Sequence, residues 1–178
     1  MNILFDIGHP AHVHYFKNII KHLDSAGHKT IIVARKRNII FQLLNFYNIE
    51  FISRGKGKNS LIGKVLYMFI ADIKMILISI KHKPDLFISF SSPYASQVSY
   101  ILNKKHISIN DTEHTDKIHK IFTYRFSTYL LTTKSYINNL GSNDYKFNNI
   151  MEGFYLNDRV FKPDISVFND LQLNKGEK

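Results

Sequence analysis

The chain has 178 residues, 44% of them hydrophobic and 21% charged, with a formal net charge of +10 and no cysteine. That length can bury a real core, in one domain or at most two, and the composition is that of a globular protein. The lack of cysteine excludes disulfides and every thiolate-based nucleophile or metal site.

The charge is uneven, with 13 Lys/Arg against 5 Asp/Glu in residues 1–89 and 11 against 9 in residues 90–178. A basic half suits a phosphorylated ligand, an anionic lipid surface or nucleic acid. Nucleic acid is the disfavoured partner: Lys and Arg are dispersed among apolar residues, and no nucleic-acid-binding motif is present. The start, "MNILFDIGHP", carries no basic leader, long apolar run or small-residue cleavage site, so a cytoplasmic protein is expected.

In chain order, "NILFDI" is a short apolar run typical of a buried strand. A helix follows, with Val13, Phe16, Ile19, Ile20 and Leu23 on one face and Lys17, Asn18, Lys21 and His22 on the other. Gly27 stands where a helix stops. "KTIIVA" predicts a second strand, "NIIFQLLNFY" a second helix and "IEFIS" a third strand. "RGKGKNS" reads as a polar loop before a long helix from Leu61 to Lys81. Strands "DLFISF" and "HISIN" flank a helix from Ala95 to Leu102, and "YLLTT" and "NNIM" predict shorter strands. This alternation predicts an α/β, Rossmann-like three-layer domain with a mostly parallel sheet over residues 1–153. Residues 154–178 lose periodicity around Pro163 and read as a linker or crossover segment.

The long helix is very apolar, but Lys64, Asp72 and Lys74 interrupt it, leaving no uncharged run near the roughly 20 residues of a spanning helix. Two readings remain: a helix buried against the sheet, or a basic-flanked amphipathic surface that touches anionic lipid at the membrane's inner face.

Three loops carry candidate chemistry, each at the carboxyl end of a predicted strand, where open parallel sheets bind ligands. The first holds Gly8, His9, Pro10, His12 and His14. Gly8 allows close backbone approach, Pro10 suits a helix's first turn, and free amides there favour an anion. Three histidines suggest a metal, but on a helix beginning near Pro10, His12 and His14 diverge by roughly 200° around the axis. No metal site is expected; the loop is either a ligand-binding turn, with His9 or His12 in the site, or simply polar surface. The second loop, "NDTEHT", offers Asp111, Thr112, Glu113 and His114 for acid–base work or hydroxyl binding. The spacing of Asn110 and Glu113 also resembles a capping box. The third loop holds Ser91 and Ser92 before Pro93, able to cap a helix or bind a sugar or phosphate. No G-x-S-x-G, Walker A or G-x-G-x-x-G pattern is present.

Together "DIGHPAHVHYFKNIIKHL", "FISFSSPYASQVSYIL" and "INDTEHT" resemble the amino-terminal half of an uncharacterised prokaryotic family, domain of unknown function 354. That family resembles GT-B glycosyltransferases and UDP-N-acetylglucosamine 2-epimerases, and the likeness runs up to "EGFYLNDRVFKPD". The resemblance implies one of two Rossmann-like domains facing a cleft, with the carboxyl-terminal, donor-binding domain absent or supplied by a partner chain. It implies that Gly8 and His9 face the sugar diphosphate and that Glu113 falls near the epimerases' glutamate after strand five. The epimerases have an aspartate after strand four where this chain has Ser91 and Ser92, which favours transfer over epimerisation.

The expected function is therefore the acceptor-side domain of a GT-B-like glycosyltransferase in surface-polysaccharide or glycolipid synthesis. Its donor would be a nucleotide-diphosphate sugar such as a UDP-sugar, with no other cofactor. The alternatives are an epimerase-like enzyme, or a non-catalytic or truncated subunit that binds a partner or lipid-linked acceptor. His9, His12 or Glu113 would supply the base, with Gly8, Pro10, His14, Ser91, Ser92, Asp111, Thr112 and His114 binding substrate. No D-x-D pattern occurs, so metal independence is expected.

Overall fold

The structure, a computed structural model, describes residues 1–57, 61–164 and 166–171. The first half contains β1 (Asn2–Ile7), α1 (Pro10–Ser25), β2 (Lys29–Arg35), α2 (Asn38–Phe46), β3 (Ile52–Gly55) and α3 (Leu61–His82). The second contains β4 (Leu86–Phe90), α4 (Pro93–Ile101), β5 (Lys105–Asn110), α5 (Asp116–Phe122), β6 (Tyr129–Thr133) and β7 (Asp144–Phe147), then four-residue helices α6 (Gly153–Leu156) and α7 (Val167–Asp170). The seven strands form one sheet in the order β3-β2-β1-β4-β5-β6-β7, and every pairing is parallel. This is the expected Rossmann-like α/β class. The strand order reverses between β1 and β4, so the crevice beyond their carboxyl ends is the natural place for a ligand.

Alternation along β1 sorts the two core layers. Ile3, Phe5 and Ile7 face one side with Val13, Phe16 and Ile20 of α1 and Ile40 and Leu44 of α2. Leu4 faces the other side with Met75 of α3 and Ala95 and Val98 of α4. Each such large side chain contributes roughly 1.5–3 kcal/mol by leaving water. The same alternation turns Asp6 into the α3–α4 layer, fully buried.

Two expectations are corrected. "RGKGKNS" is not all loop: Arg54 and Gly55 belong to β3, and Arg54 is buried because it pairs with Asp6. The remainder of that loop, Lys58–Ser60, lies outside the described residues, as do residues 172–178 of the tail. "NNIM" is a turn, and the last strand is "DYKF" instead. The Asn149 side chain accepts from Ile150 N at 2.8 Å, the local bonding that favours turns over strands, while Met151 drops into the α1-side core. Past Gly153 the chain stays on the domain at first, since Asn18 of α1 donates to the carbonyl of Phe154 at 2.9 Å.

Helix α3 follows the first of the two readings offered for it. Tyr67, Ala71, Met75 and Ser79, four residues apart, are buried against the domain. Its outer face is also apolar: Leu66, Phe69, Ile70, Ile73, Leu77 and Ile80 are each at least half exposed. Among the described residues no helix is long and apolar enough to cross a membrane.

Candidate functional site

The β1–α1 turn is built by its own polar atoms. His9 is the cap of α1, in extended geometry, and its Nδ1 accepts from Ala11 N at 3.3 Å; Pro10 fills the first helical position. One turn on, His12 lies beneath the loop, its ring stacked on Phe90 with centroids 4.9 Å apart. Gly8 N donates to His12 Nδ1 at 3.3 Å. That assigns the lone pair to Nδ1 and the proton to Nε2. Burial, reinforced by the charges of His9 and Arg54, pushes the His12 pKa down to about 3, so the ring is neutral at physiological pH. It presents an N–H donor and not a free base.

The histidines do not converge on a metal. His14 turns to the other side of α1, where its Nδ1 lies 3.4 Å from the Tyr47 hydroxyl and its ring contacts Tyr155. Among the described residues no three His, Asp or Glu side chains meet as ligands would.

Beneath the turn lies a buried polar cluster. Arg54 Nε donates to Asp6 Oδ1 at 2.7 Å and Arg54 Nη1 to the Tyr67 hydroxyl at 2.9 Å, with the guanidinium 4.4 Å from the centre of the Tyr94 ring. Ser92 Oγ donates to the second Asp6 oxygen and, as the cap of α4, accepts from Ala95 N at 3.4 Å. Ser91 holds a left-handed φ of 47° and donates to Ile109 O at 3.2 Å. Both serine protons are thus given to acceptors inside the protein, and Ser92 fills the capping role. The sequence reading missed Asp6 and Arg54, which stand 48 positions apart and signal nothing locally.

Asp72 of α3 approaches this cluster with Oδ1 buried and unpartnered. Burial raises its pKa to about 7, with Asp6 adding and Arg54 opposing. Because the folded pKa exceeds the unfolded value, this group's contribution to stability is full below about pH 4 and is lost as the pH rises through 7. Asp72→Asn should remove that slope and stabilise the fold by about 1 kcal/mol at pH 8, allowing for partial solvent screening. Urea melts at pH 5 and pH 8 test it; an unchanged slope would refute the assignment.

The β5–α5 loop is organised by Asp116, which the sequence reading passed over. Its carboxylate accepts from the hydroxyls of Tyr124 (2.9 Å) and Tyr136 and from Asn138 Nδ2 (2.9 Å). Burial alone would raise its pKa, but these hydrogen bonds hold it below the usual carboxylate range. Asn110 does not form a capping box: its Oδ1 accepts from Thr112 N at 3.2 Å and its Nδ2 donates to Tyr136. Glu113 Oε1 accepts from Ile137 N, and among the described residues its other oxygen has no hydrogen-bond partner. Asp111 accepts from Thr112 Oγ1 at 2.8 Å, and Asp111 and His114 are exposed. Tyr15, stacked on Phe90 at 5.2 Å, connects the loops: burial and then the Asp111 charge push its hydroxyl up to about 12. The turn at Gly8–His12, the end of β4 and the Asp111 loop therefore border one surface. A cavity of about 800 Å³ opens elsewhere, between α1, the start of β2 and the turn after α2, and none of the expected site residues lines it.

Solved structures of similar fold divide between two enzyme classes. The chain superposes on a UDP-GlcNAc 2-epimerase from Methanocaldococcus jannaschii with a TM-score of 0.67 and 14% identity, covering 88% of this chain and 48% of that one. It superposes on MurG from Acinetobacter baumannii with a TM-score of 0.66 and 13% identity, covering 80% and 44%. For SsfS6, a glycosyltransferase from Streptomyces sp. SF2575, the values are 0.58, 12%, 82% and 57%. An uncharacterised protein of Methanocaldococcus jannaschii is 26% identical over 121 residues, 68% of this chain and 36% of that protein. The chain thus spans about a third of that curated relative and about half of the GT-B glycosyltransferases and 2-epimerases whose fold it shares. Residues 1–173 match the family described as "Protein of unknown function (DUF354)", and the chain belongs to that family.

Proposed function

We propose that this chain is the acceptor-side half of a GT-B-like glycosyltransferase that uses a nucleotide-diphosphate sugar in surface-polysaccharide or glycolipid synthesis. The observation that carries the proposal is the Gly8–His9–Pro10 turn, which opens α1 at the reversal of strand order with a neutral N–H donor behind it. Helix amides and the His12 Nε2–H favour negative charge as it develops on a departing diphosphate. His9 contributes from the rim, its Nδ1 being used by the helix cap. A base must also take the proton of the acceptor hydroxyl. The Glu113 oxygen free of hydrogen bonds suits that role better than either histidine, whose Nδ1 atoms already accept backbone N–H groups. In this reading the carboxyl-terminal donor half comes from a further domain or a partner chain, and the apolar outer face of α3 rests on anionic lipid.

The test titrates UDP-sugars onto the chain joined with its donor half and measures turnover. His12→Ala should lower both binding and kcat, and Glu113→Gln should lower kcat by about 100-fold with KM little changed. A Cβ on Gly8 would meet Arg54 Nη2 at an ordinary 3.5 Å, so Gly8→Ala should keep wild-type stability while weakening sugar-nucleotide binding. If binding and turnover ignore all three substitutions, the assignment fails. The shared fold with 2-epimerases supports a second reading, and a 2-epimer appearing without transfer to an acceptor would select it.

A further inference from the structure

Three cations come together where β2, β3 and α3 meet, and among the described residues only one has a counter-ion. Arg54, 3% exposed, is paired with Asp6 through Nε, while its Nη2 points toward Gly8. Arg35, the last residue of β2, is in register with Gly55, and its guanidinium lies so close to Gly57 that a Cβ there would collide with it. Among the described residues its buried Nε has no hydrogen-bond partner. Lys74 Nζ sits 3.2 Å from where a Cβ would stand on Gly55, a residue at a left-handed φ of 99°. Tyr94, at the start of α4, stacks on Arg54, and the charge of Arg35 also acts on its hydroxyl. Among the described residues neither Arg35 nor Lys74 makes an ion pair. The facing carboxylates do not balance them: Asp6 is taken by Arg54 and Ser92, and the burial of Asp72 favours its neutral form.

Like charges gathered around a partly buried corner repel one another unless an anion joins them. The glycines at 55 and 57 leave the corner open, because any side chain would fill the space the cations occupy. We propose that this corner binds a phosphate group, with Arg35 and Lys74 as direct ligands and Arg54 Nη2 behind them. A guanidinium fork and an ammonium are the donors that recognise phosphate oxygens best. The corner also adjoins α3 at Tyr67 and Lys74, and the outer stripe of that helix is apolar, so the phosphate can belong to a soluble ester or to a lipid headgroup. The proposal stands without the sugar-nucleotide reading, because it uses other side chains and needs no donor half.

Calorimetric titration of inorganic phosphate onto the whole chain tests it. Saturable one-to-one binding is expected, weakened about tenfold by Arg35→Gln and by Lys74→Gln, and unaffected by Lys104→Gln at an exposed position after α4. Thermal melts of each variant verify that the fold is kept. Glycerol 1-phosphate and dihexanoyl phosphatidic acid, which share a phosphomonoester, then separate the sources. Equal affinities indicate a soluble ester, and tighter binding of the acylated form indicates a headgroup. Absence of saturable binding, wild-type affinity in either the Arg35→Gln or the Lys74→Gln variant, or an equal loss of binding in Lys104→Gln overturns the proposal.

Discussion

Arg54→Ala is expected to destabilise the fold by about 3–5 kcal/mol, the scale of a buried ion pair broken by removing one partner. Asp6 is fully buried in the α3–α4 layer, and its carboxylate keeps only the Ser92 hydroxyl once the guanidinium is gone. Water cannot replace the lost partner cheaply at that depth, so the cost is that of an uncompensated charge and not of one hydrogen bond. Asp6→Ala strands the guanidinium in the same way and should cost a similar amount. Removing both charges, as in Asp6→Asn with Arg54→Met, should recover much of the loss, because neither product is a stranded ion. Urea melts of Asp6→Asn, of Arg54→Met and of the double variant measure the coupling directly. If the double variant is as unstable as the sum of the singles, the pair is not the unit described here. The consequence reaches the site, because Arg54 Nη2 lies against Gly8 and Asp6 holds the cap of α4. The ion pair therefore sets the relative positions of the two turns that border the crevice.

How much of this was legible in the sequence depends on whether a residue's partner is local. "NILFDI" and "KTIIVA" read correctly as strands, because a strand buried on both faces is a continuous apolar run whatever its neighbours. The Gly8–His9–Pro10 turn read correctly as a strand-to-helix junction, since its glycine, cap and proline act within four residues. Arg54 did not, because a lone arginine between Ser53 and Gly55 looks like loop until Asp6 is brought beside it. Asp116 was passed over for the same reason: its partners Tyr124, Tyr136 and Asn138 lie 8 to 22 positions away. Asn110 and Glu113 misled in the opposite direction. Their spacing fits a local cap, but tertiary partners took both side chains. Histidine count was the poorest guide, since helix geometry sends His12 under the turn and His14 to Tyr47.

His106→Ala should cost about 3–4 kcal/mol at pH 7, from a cavity and two lost hydrogen bonds in a fully buried place. The ring links β4 to the segment before β6. Ser127 Oγ donates to Thr123 O at 2.9 Å, so it accepts from His106 Nδ1–H; Ser89 Oγ donates to Nε2, also at 2.9 Å. Ser89 in turn accepts from Ser92 N at 3.1 Å, which carries the chain up to the α4 cap and hence to Asp6. Each link requires a neutral imidazole, and burial pushes its pKa down to about 3. The folded value lies below the unfolded one, so this contribution is complete above about pH 6.5 and is lost as the pH falls toward 3. Wild type should therefore lose stability through that acid window faster than the variant, which has no imidazole to protonate at this position. The gap between the two should narrow as the pH drops, while His12, with a similarly lowered pKa, gives both proteins the same residual slope. Parallel stability curves for wild type and His106→Ala between pH 7 and pH 4 would show that the relay does not hold His106 neutral.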